Sequence, residues 1–129
     1  MVEGIENAEE EVLKALKDPL IIDARDPEDI TQLKGGPAIE GSVNVPFNMD
    51  GVKQADRPTT LAEYKAKLEA AGCLPADVGA AIITHCGSAV IGSGGRGGKS
   101  AAVLRAMGYK NVHNGGSPDH IRTIRAAGN

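Results

Sequence analysis

The chain has 129 residues, a formal net charge of -3 and 41% hydrophobic residues, which predict one domain over residues 1–129 with an aliphatic core. The acidic balance argues against a nucleic-acid partner, and the absence of a long apolar run argues against a membrane span. Two cysteines are too few for a disulfide scaffold, and the acidic start does not resemble a signal peptide, so we expect a reducing, cytoplasmic setting.

Short apolar runs alternate with helical patterns in the first half of the chain. Turn and cap residues separate them, and proline or glycine ends most of them. The predicted elements are an edge strand over residues 2–5, a helix capped by Asn7, a strand over 20–23, a helix capped by Asp26, and a short strand within 39–46 that Pro46 ends.

The second half continues the alternation after a loop over residues 47–58. Thr60 and Glu63 form a capping box for a helix that Gly72 ends. A strand over 80–84, a glycine-rich loop, a helix over 99–107, a strand over 111–114 and a helix over 118–127 follow. Strands that alternate with helices predict a three-layer α/β/α domain with a central parallel sheet.

Cys86 is the strongest candidate for a reactive group. It follows the strand over 80–84, and a glycine-rich loop connects it to the next helix. The carboxyl ends of strands in open α/β sheets are where ligands bind, and a helix amino terminus stabilises a thiolate, the nucleophilic form of cysteine. We predict that Cys86 is reactive and that Cys73, which follows a helix end, is a structural or incidental thiol. The side chain of His85 should point to the opposite side of the strand from that of Cys86, which favours a packing role over a catalytic base.

Two nucleotide-binding patterns occur in the same loop, and both are disfavoured. Residues 92–97 satisfy G-x-G-x-x-G, but these glycines start well after the strand and no acidic residue ends the next strand. Residues 98–100 end like a P-loop, but Ser93 stands where the pattern needs glycine. No cofactor is therefore predicted.

A cysteine-dependent phosphatase remains a minor alternative. His85-Cys86 followed by an arginine is typical of a loop whose N–H groups cradle phosphate, with only about five residues between the cysteine and the arginine. Gly92 stands where that arginine belongs, and Arg96 comes later. His113 and His120 have no metal-ligand spacing with acidic or cysteine partners, so no metal site is predicted.

Four segments together resemble a known family, the single-domain rhodaneses. An apolar strand ends in Asp-x-Arg at residues 20–28, a segment at 39–46 is similar to I-x-G-A-x-N-I-P, and a strand at 83–86 leads into the cysteine. Residues 96–102, 107–112 and 115–116 resemble the helix and last strand of the family. The chain departs from the family in a longer loop, with an apparent insertion at residues 89–94, from Ala89 to Gly94.

The resemblance implies a sulfurtransferase that works without a cofactor. Cys86 would take sulfur from thiosulfate or a related small anion as a persulfide and pass it to a thiol or cyanide. The resemblance places the donor in a cradle and assigns two supporting side chains. The cradle residues are Gly87, Ser88, Gly95, Arg96 and Gly97, and the supporting residues are Asp23 and Arg25.

The non-enzymatic alternative is a sulfur-carrier or protein-binding module of the same family. Residues 89–91 are apolar and lie in the long loop, which is typical of a recognition patch for a protein acceptor. Donor turnover distinguishes the enzyme from the binding module.

Overall fold

A computed structural model describes residues 2–88 and 95–127 of the chain. In this part of the chain, helices alternate with short strands throughout. The elements are α1 (Glu10–Ala15), β1 (Leu20–Asp23), α2 (Pro27–Thr31), β2 (Val43–Asn44), α3 (Leu61–Ala71), β3 (Ile82–His85), α4 (Arg96–Ala106), β4 (Val112–Asn114) and α5 (Pro118–Ala127).

The four strands form one parallel sheet in the order β2-β1-β3-β4. Asp23 of β1 pairs with Asn44 of β2 and with His85 of β3, so the carboxyl ends of these strands are aligned. The predicted α/β class with a central parallel sheet is confirmed. The register brings the segments that follow β1, β2 and β3 to one edge of the sheet.

Each face of the sheet is covered by its own pair of helices. Ile22 of β1 and Ile82 of β3 belong to a core cluster with residues of α3 and α4. Ile83, next along β3, belongs to a second cluster with residues of α1 and α5. Because successive strand side chains point to opposite faces, this alternation produces the three layers.

Local cap chemistry explains why two of the helices begin where they do. Thr60 Oγ1 accepts a hydrogen bond from the Glu63 N–H at 3.1 Å, and Glu63 Oε1 accepts one from the Thr60 N–H at 3.0 Å. Gly72 ends α3 with φ of 68°, a conformation that glycine adopts without strain. Asp26 and Asp29 form the corresponding box at the start of α2.

The amino-terminal segment differs from its prediction. Residues 2–5 form no strand, because the Ile5 N–H donates to Gly98 O in α4 instead of to a sheet edge. Asn7 makes a single parallel bridge to Asn114, and α1 begins only at Glu10. The side-chain rule for a cap was thus outweighed by backbone pairing with β4.

Helix α4 begins at Arg96, three residues before the prediction at Lys99. Glycines at 97 and 98 have low helix propensity, which explains the late prediction. Their lack of side chains is what lets the first turn pack against other backbone.

None of the helices in the described parts of the chain has the length and apolar character that crossing a membrane requires.

Candidate active site

A cleft of about 520 Å³ opens at the carboxyl edge of the sheet, and Cys86 lies in it. We call it the Cys86 cleft. Its walls come from the segment after β1, the loop after β2, and both ends of the connection between β3 and α4. The lining residues are Asp26, Asp29, Lys34, Asn48, Lys53, Gln54, Cys86, Gly87, Ser88, Gly95 and Arg96.

The backbone of Cys86 is held on both sides. Its N–H donates to Gly116 O at 3.0 Å, and its carbonyl oxygen lies 3.0 Å from His85 Nδ1. The preceding carbonyl, His85 O, accepts from the Ala24 N–H at 2.8 Å. Cys86 is only 8% exposed, so its sulfur is reached through the cleft and not from open surface.

The amino terminus of α4 approaches Cys86 closely because the residues there are glycines. A Cβ on Gly95 would lie 3.3 Å from Cys86 Sγ, and one on Gly97 would lie 2.8 Å from backbone atoms of His85. Thr84 Oγ1 donates to Gly97 O at 2.6 Å and ties the turn to β3. The amino-terminal end of an 11-residue helix therefore lies against the sulfur. Because this end of a helix carries partial positive charge, the arrangement favours a thiolate or another anion.

Arg96 reaches into the cleft but is already paired with carboxylates. Its Nη1 lies 2.8 Å from Asp29 Oδ2 and 3.7 Å from Asp26 Oδ2. Burial acts to raise the pKa of Asp29, but the hydrogen bond and charge of Arg96, together with hydrogen bonds from Lys34 and the Asp26 backbone, hold the pKa below its usual value. Asp29 is therefore ionised at neutral pH and neutralises part of the arginine charge that the sequence assigned to donor binding.

A polar wall faces Cys86 from the loop after β2. Asn48 Nδ2 donates to Asp26 Oδ2 at 3.0 Å, and Gln54 Nε2 donates to Asn48 Oδ1 at 2.7 Å. The sequence analysis did not predict this wall, nor the other lining residues Lys34, Lys53, Asp26 and Asp29. The available signal was that the loop over 47–58 follows the carboxyl end of a parallel strand, which places it at the same edge as Cys86.

Asp23 and Arg25 lie beneath the cleft and do not line it. They form a buried ion pair at 2.7 Å, and Arg25 Nη1 also donates to Lys34 O at 3.1 Å and Gly36 O at 2.6 Å. A Cβ on Gly35 would lie 2.6 Å from Gly87 O, so the loop that Arg25 holds packs directly on the residue after Cys86. The pair thereby fixes one wall of the cleft.

The structure separates the predicted site residues into two groups. Cys86, Gly87, Ser88, Gly95 and Arg96 all line the cleft, whereas Gly97 lies buried against β3 and does not. The insertion at residues 89–94 lies outside the described residues. In the ranges 2–88 and 95–127, no three His, Cys, Asp or Glu side chains are grouped to hold a metal ion.

The family profile of the Rhodanese-like domain matches residues 8–116. The match spans most of the chain and includes all four strands, so the chain belongs to the rhodanese-like domain family, as the resemblance indicated. Membership supports a sulfurtransferase or sulfur-carrier role in general. Neither the curated proteins nor the solved structures contain a significant match to the chain.

Proposed function

We propose that the protein transfers sulfane sulfur through a persulfide on Cys86 and that residues 1–129 act as one domain. The observation that carries the proposal is the position of Cys86, at the end of β3 and inside a cleft, with Gly95 at the amino terminus of α4 against its sulfur. A thiolate there is stabilised by the helix end, and a donor can reach it through the cleft.

The donor step needs only a nucleophile and a leaving group. The Cys86 thiolate attacks the outer sulfur of thiosulfate with its electron pair, and a new S–S bond forms. The bond between the two thiosulfate sulfurs breaks, and its electron pair leaves on sulfite. Cys86 then carries a persulfide anion, and no external oxidant or reductant is consumed.

In the acceptor step the Cys86 sulfur is the leaving group, whereas in the donor step it was the nucleophile. Cyanide or an acceptor thiolate attacks the terminal sulfur of the persulfide, and the S–S bond breaks with its electrons returning to Cys86. The products are thiocyanate or an acceptor persulfide, and the resting thiolate is restored. The terminal sulfur needs the same stabilisation as the donor anion, and the amino terminus of α4, which lies against the Cys86 sulfur, is the candidate source of it.

The charges of the cleft favour anions only moderately. Arg96, Lys34 and Lys53 are cations, but Asp29 pairs with both Arg96 and Lys34, the latter at 3.4 Å. A doubly charged donor therefore meets a partly neutralised cleft, and the helix terminus becomes the main source of attraction. We expect weak affinity for thiosulfate, with Asp23 and Arg25 holding the wall on which Gly87 rests.

The partial neutralisation of Arg96 also supports a second candidate function, a sulfur carrier. In a carrier, Cys86 takes up sulfur as a persulfide and holds it until a protein acceptor binds. A carrier needs a stable persulfide more than fast donor capture, and the Asp29–Arg96 pair is compatible with that balance. The acceptor loop that the sequence predicts at residues 89–94 stays a prediction.

A thiosulfate and cyanide assay tests the proposal. Wild type, Cys86→Ser and the matched control Cys73→Ser are compared for sulfite release and thiocyanate formation. We expect the first variant to fall to background and the control to keep wild-type rates. One equivalent of sulfite without sustained thiocyanate identifies a carrier, and turnover by Cys86→Ser contradicts the whole proposal.

A further inference from the structure

His85 is fully buried directly before Cys86, and its contacts define its hydrogen positions. Its Nδ1 lies 3.0 Å from Cys86 O, and a carbonyl oxygen can only accept, so Nδ1 carries the hydrogen. Burial lowers the pKa of His85, and the Asp23 carboxylate, 3.8 Å from Nδ1, offsets this only in part. The ring is neutral at neutral pH, and its Nε2 has no hydrogen-bond partner among the described residues.

The hydrogen bond from His85 fixes the orientation of one peptide group at the reacting sulfur. In a planar trans peptide the carbonyl and the following N–H point in opposite directions. The carbonyl of Cys86 is held towards the buried ring, and the Gly87 N–H of the same peptide is therefore turned away from it. Gly87 lines the Cys86 cleft, whereas His85 does not.

A second contact prevents the Gly87 backbone from moving away. A Cβ on Gly87 would lie 2.9 Å from Lys34 O, and Arg25 holds that carbonyl from below at 3.1 Å. The position of Gly87 is thus set by packing. The rotation of the peptide between Cys86 and Gly87 depends on which donor hydrogen-bonds to the Cys86 carbonyl. His85 Nδ1 is the donor that the structure gives to that carbonyl.

We propose that His85 is a positioning residue for sulfur transfer, because its hydrogen bond to the Cys86 carbonyl aims the Gly87 N–H at the cysteine sulfur and its persulfide. The role rests on the proposed function, but the geometry exists in the resting thiol. A ring kept for packing alone would be better replaced by an apolar side chain, since a buried nitrogen without a partner is unfavourable.

Three variants in a Cys73→Ser background test the inference. His85→Asn keeps an amide donor at the Nδ1 position, His85→Gln moves the amide towards the Nε2 position, and His85→Leu removes both. The first readout is the pH midpoint of Cys86 alkylation by iodoacetamide, which needs no sulfur donor. The second is kcat and KM for thiosulfate, and melting temperatures verify that the variants are folded.

We expect the Leu and Gln variants to shift the alkylation midpoint to higher pH and to lose roughly tenfold or more in kcat, as for loss of one preorganised N–H donor. His85→Asn should recover most of both values. Folded Leu and Gln variants with wild-type midpoints, or an Asn variant as impaired as Leu, would overturn the inference. If His85→Leu does not fold, the alkylation midpoints and kcat values of His85→Gln and His85→Asn are compared instead. Failure of the wild type to transfer sulfur refutes the proposed function, and alkylation still tests His85.

Discussion

The two cysteines of this chain occupy opposite kinds of position. Cys86 ends a strand and meets the amino terminus of α4, whereas Cys73 follows Gly72, the residue that caps the carboxyl terminus of α3. Helix dipoles favour an anion at the first position and disfavour one at the second. Burial raises the pKa of the Cys73 thiol, which lowers its thiolate fraction further.

Exposure and helix geometry favour different cysteines as the nucleophile. Cys86 is the more buried of the two, and Cys73 is partly exposed. The difference is that Cys86 lines a cleft beside the amino terminus of α4, while Cys73 follows the carboxyl terminus of α3. We therefore expect Cys86 to be the more reactive thiol although it is the more buried one.

The change expected to disturb the comparison most is Gly97→Ala. The added methyl would lie 2.8 Å from His85 backbone atoms, so the first turn of α4 has to move away from Cys86. We expect a loss of about 1–3 kcal/mol in the free energy of unfolding, which the higher helix propensity of alanine offsets only in part. Cys86 should also lose its advantage over Cys73 in alkylation rate at neutral pH.

Gly79→Ala is the matched control for this prediction. Its methyl would meet only Asp77 Oδ1, at 3.3 Å, and the site is remote from Cys86. Urea unfolding and mass-spectrometric alkylation rates provide both measurements. If Gly97→Ala keeps wild-type stability and the same ratio of alkylation rates, close approach of α4 is not what distinguishes the two cysteines.

A smaller effect is expected from the pair that restrains Arg96. Asp29→Asn should free the guanidinium and lower the KM for thiosulfate, and Arg96→Ala should raise it. Each change should be roughly twofold to fivefold, since partly exposed ion pairs contribute less than about 1 kcal/mol. Asp29 also closes the capping box of α2 through a bond from the Asp26 N–H at 3.3 Å, so melting temperatures accompany the kinetics.

Opposite shifts of KM in these two variants, with little change in melting temperature, would indicate that Arg96 binds the thiosulfate donor. Shifts in the same direction, or a large loss of stability with unchanged KM, would instead make the Asp29–Arg96 pair a structural tie between α2 and α4.

The smallest effect concerns Cys73 and pH. Burial of Cys73 raises its pKa, and the thiolate therefore appears only above the pH at which an exposed thiol ionises. In Cys86→Ser, alkylation of Cys73 should have a midpoint at higher pH in the native protein than in the same protein unfolded in urea. Equal midpoints in the two states would show that burial does not suppress the ionisation of Cys73.

Apart from the strand predicted over residues 2–5, which does not form, the order of the elements could be predicted from the sequence because their signals are local. Thr60 with Glu63, and Asp26 with Pro27, mark helix starts that depend on a few neighbouring atoms. The start of α4 was predicted late because Gly97 is justified only by contact with β3, which is distant in the chain. Tertiary packing at that point overrides helix propensity.

Only part of the candidate site could be predicted from the sequence. Residues next to Cys86 and Arg96 could be named from the loop that joins them, but Asn48 and Gln54 come from a segment without a pattern. The pairing of Arg96 with Asp29 joins residues 67 positions apart, and a single sequence gives no signal for such a pair. The restraint on the arginine therefore emerges only from the fold.

Locating the transferred sulfur tests most directly whether Cys86 is the nucleophile that carries the persulfide. The protein is incubated with thiosulfate, trapped with iodoacetamide, digested, and analysed by mass spectrometry under non-reducing conditions. The position of Cys86 in the cleft predicts that the added sulfur lies on the peptide containing Cys86, with Cys73 carrying only the alkyl group. Sulfur found on Cys73 and not on Cys86 would contradict the assignment of the nucleophile.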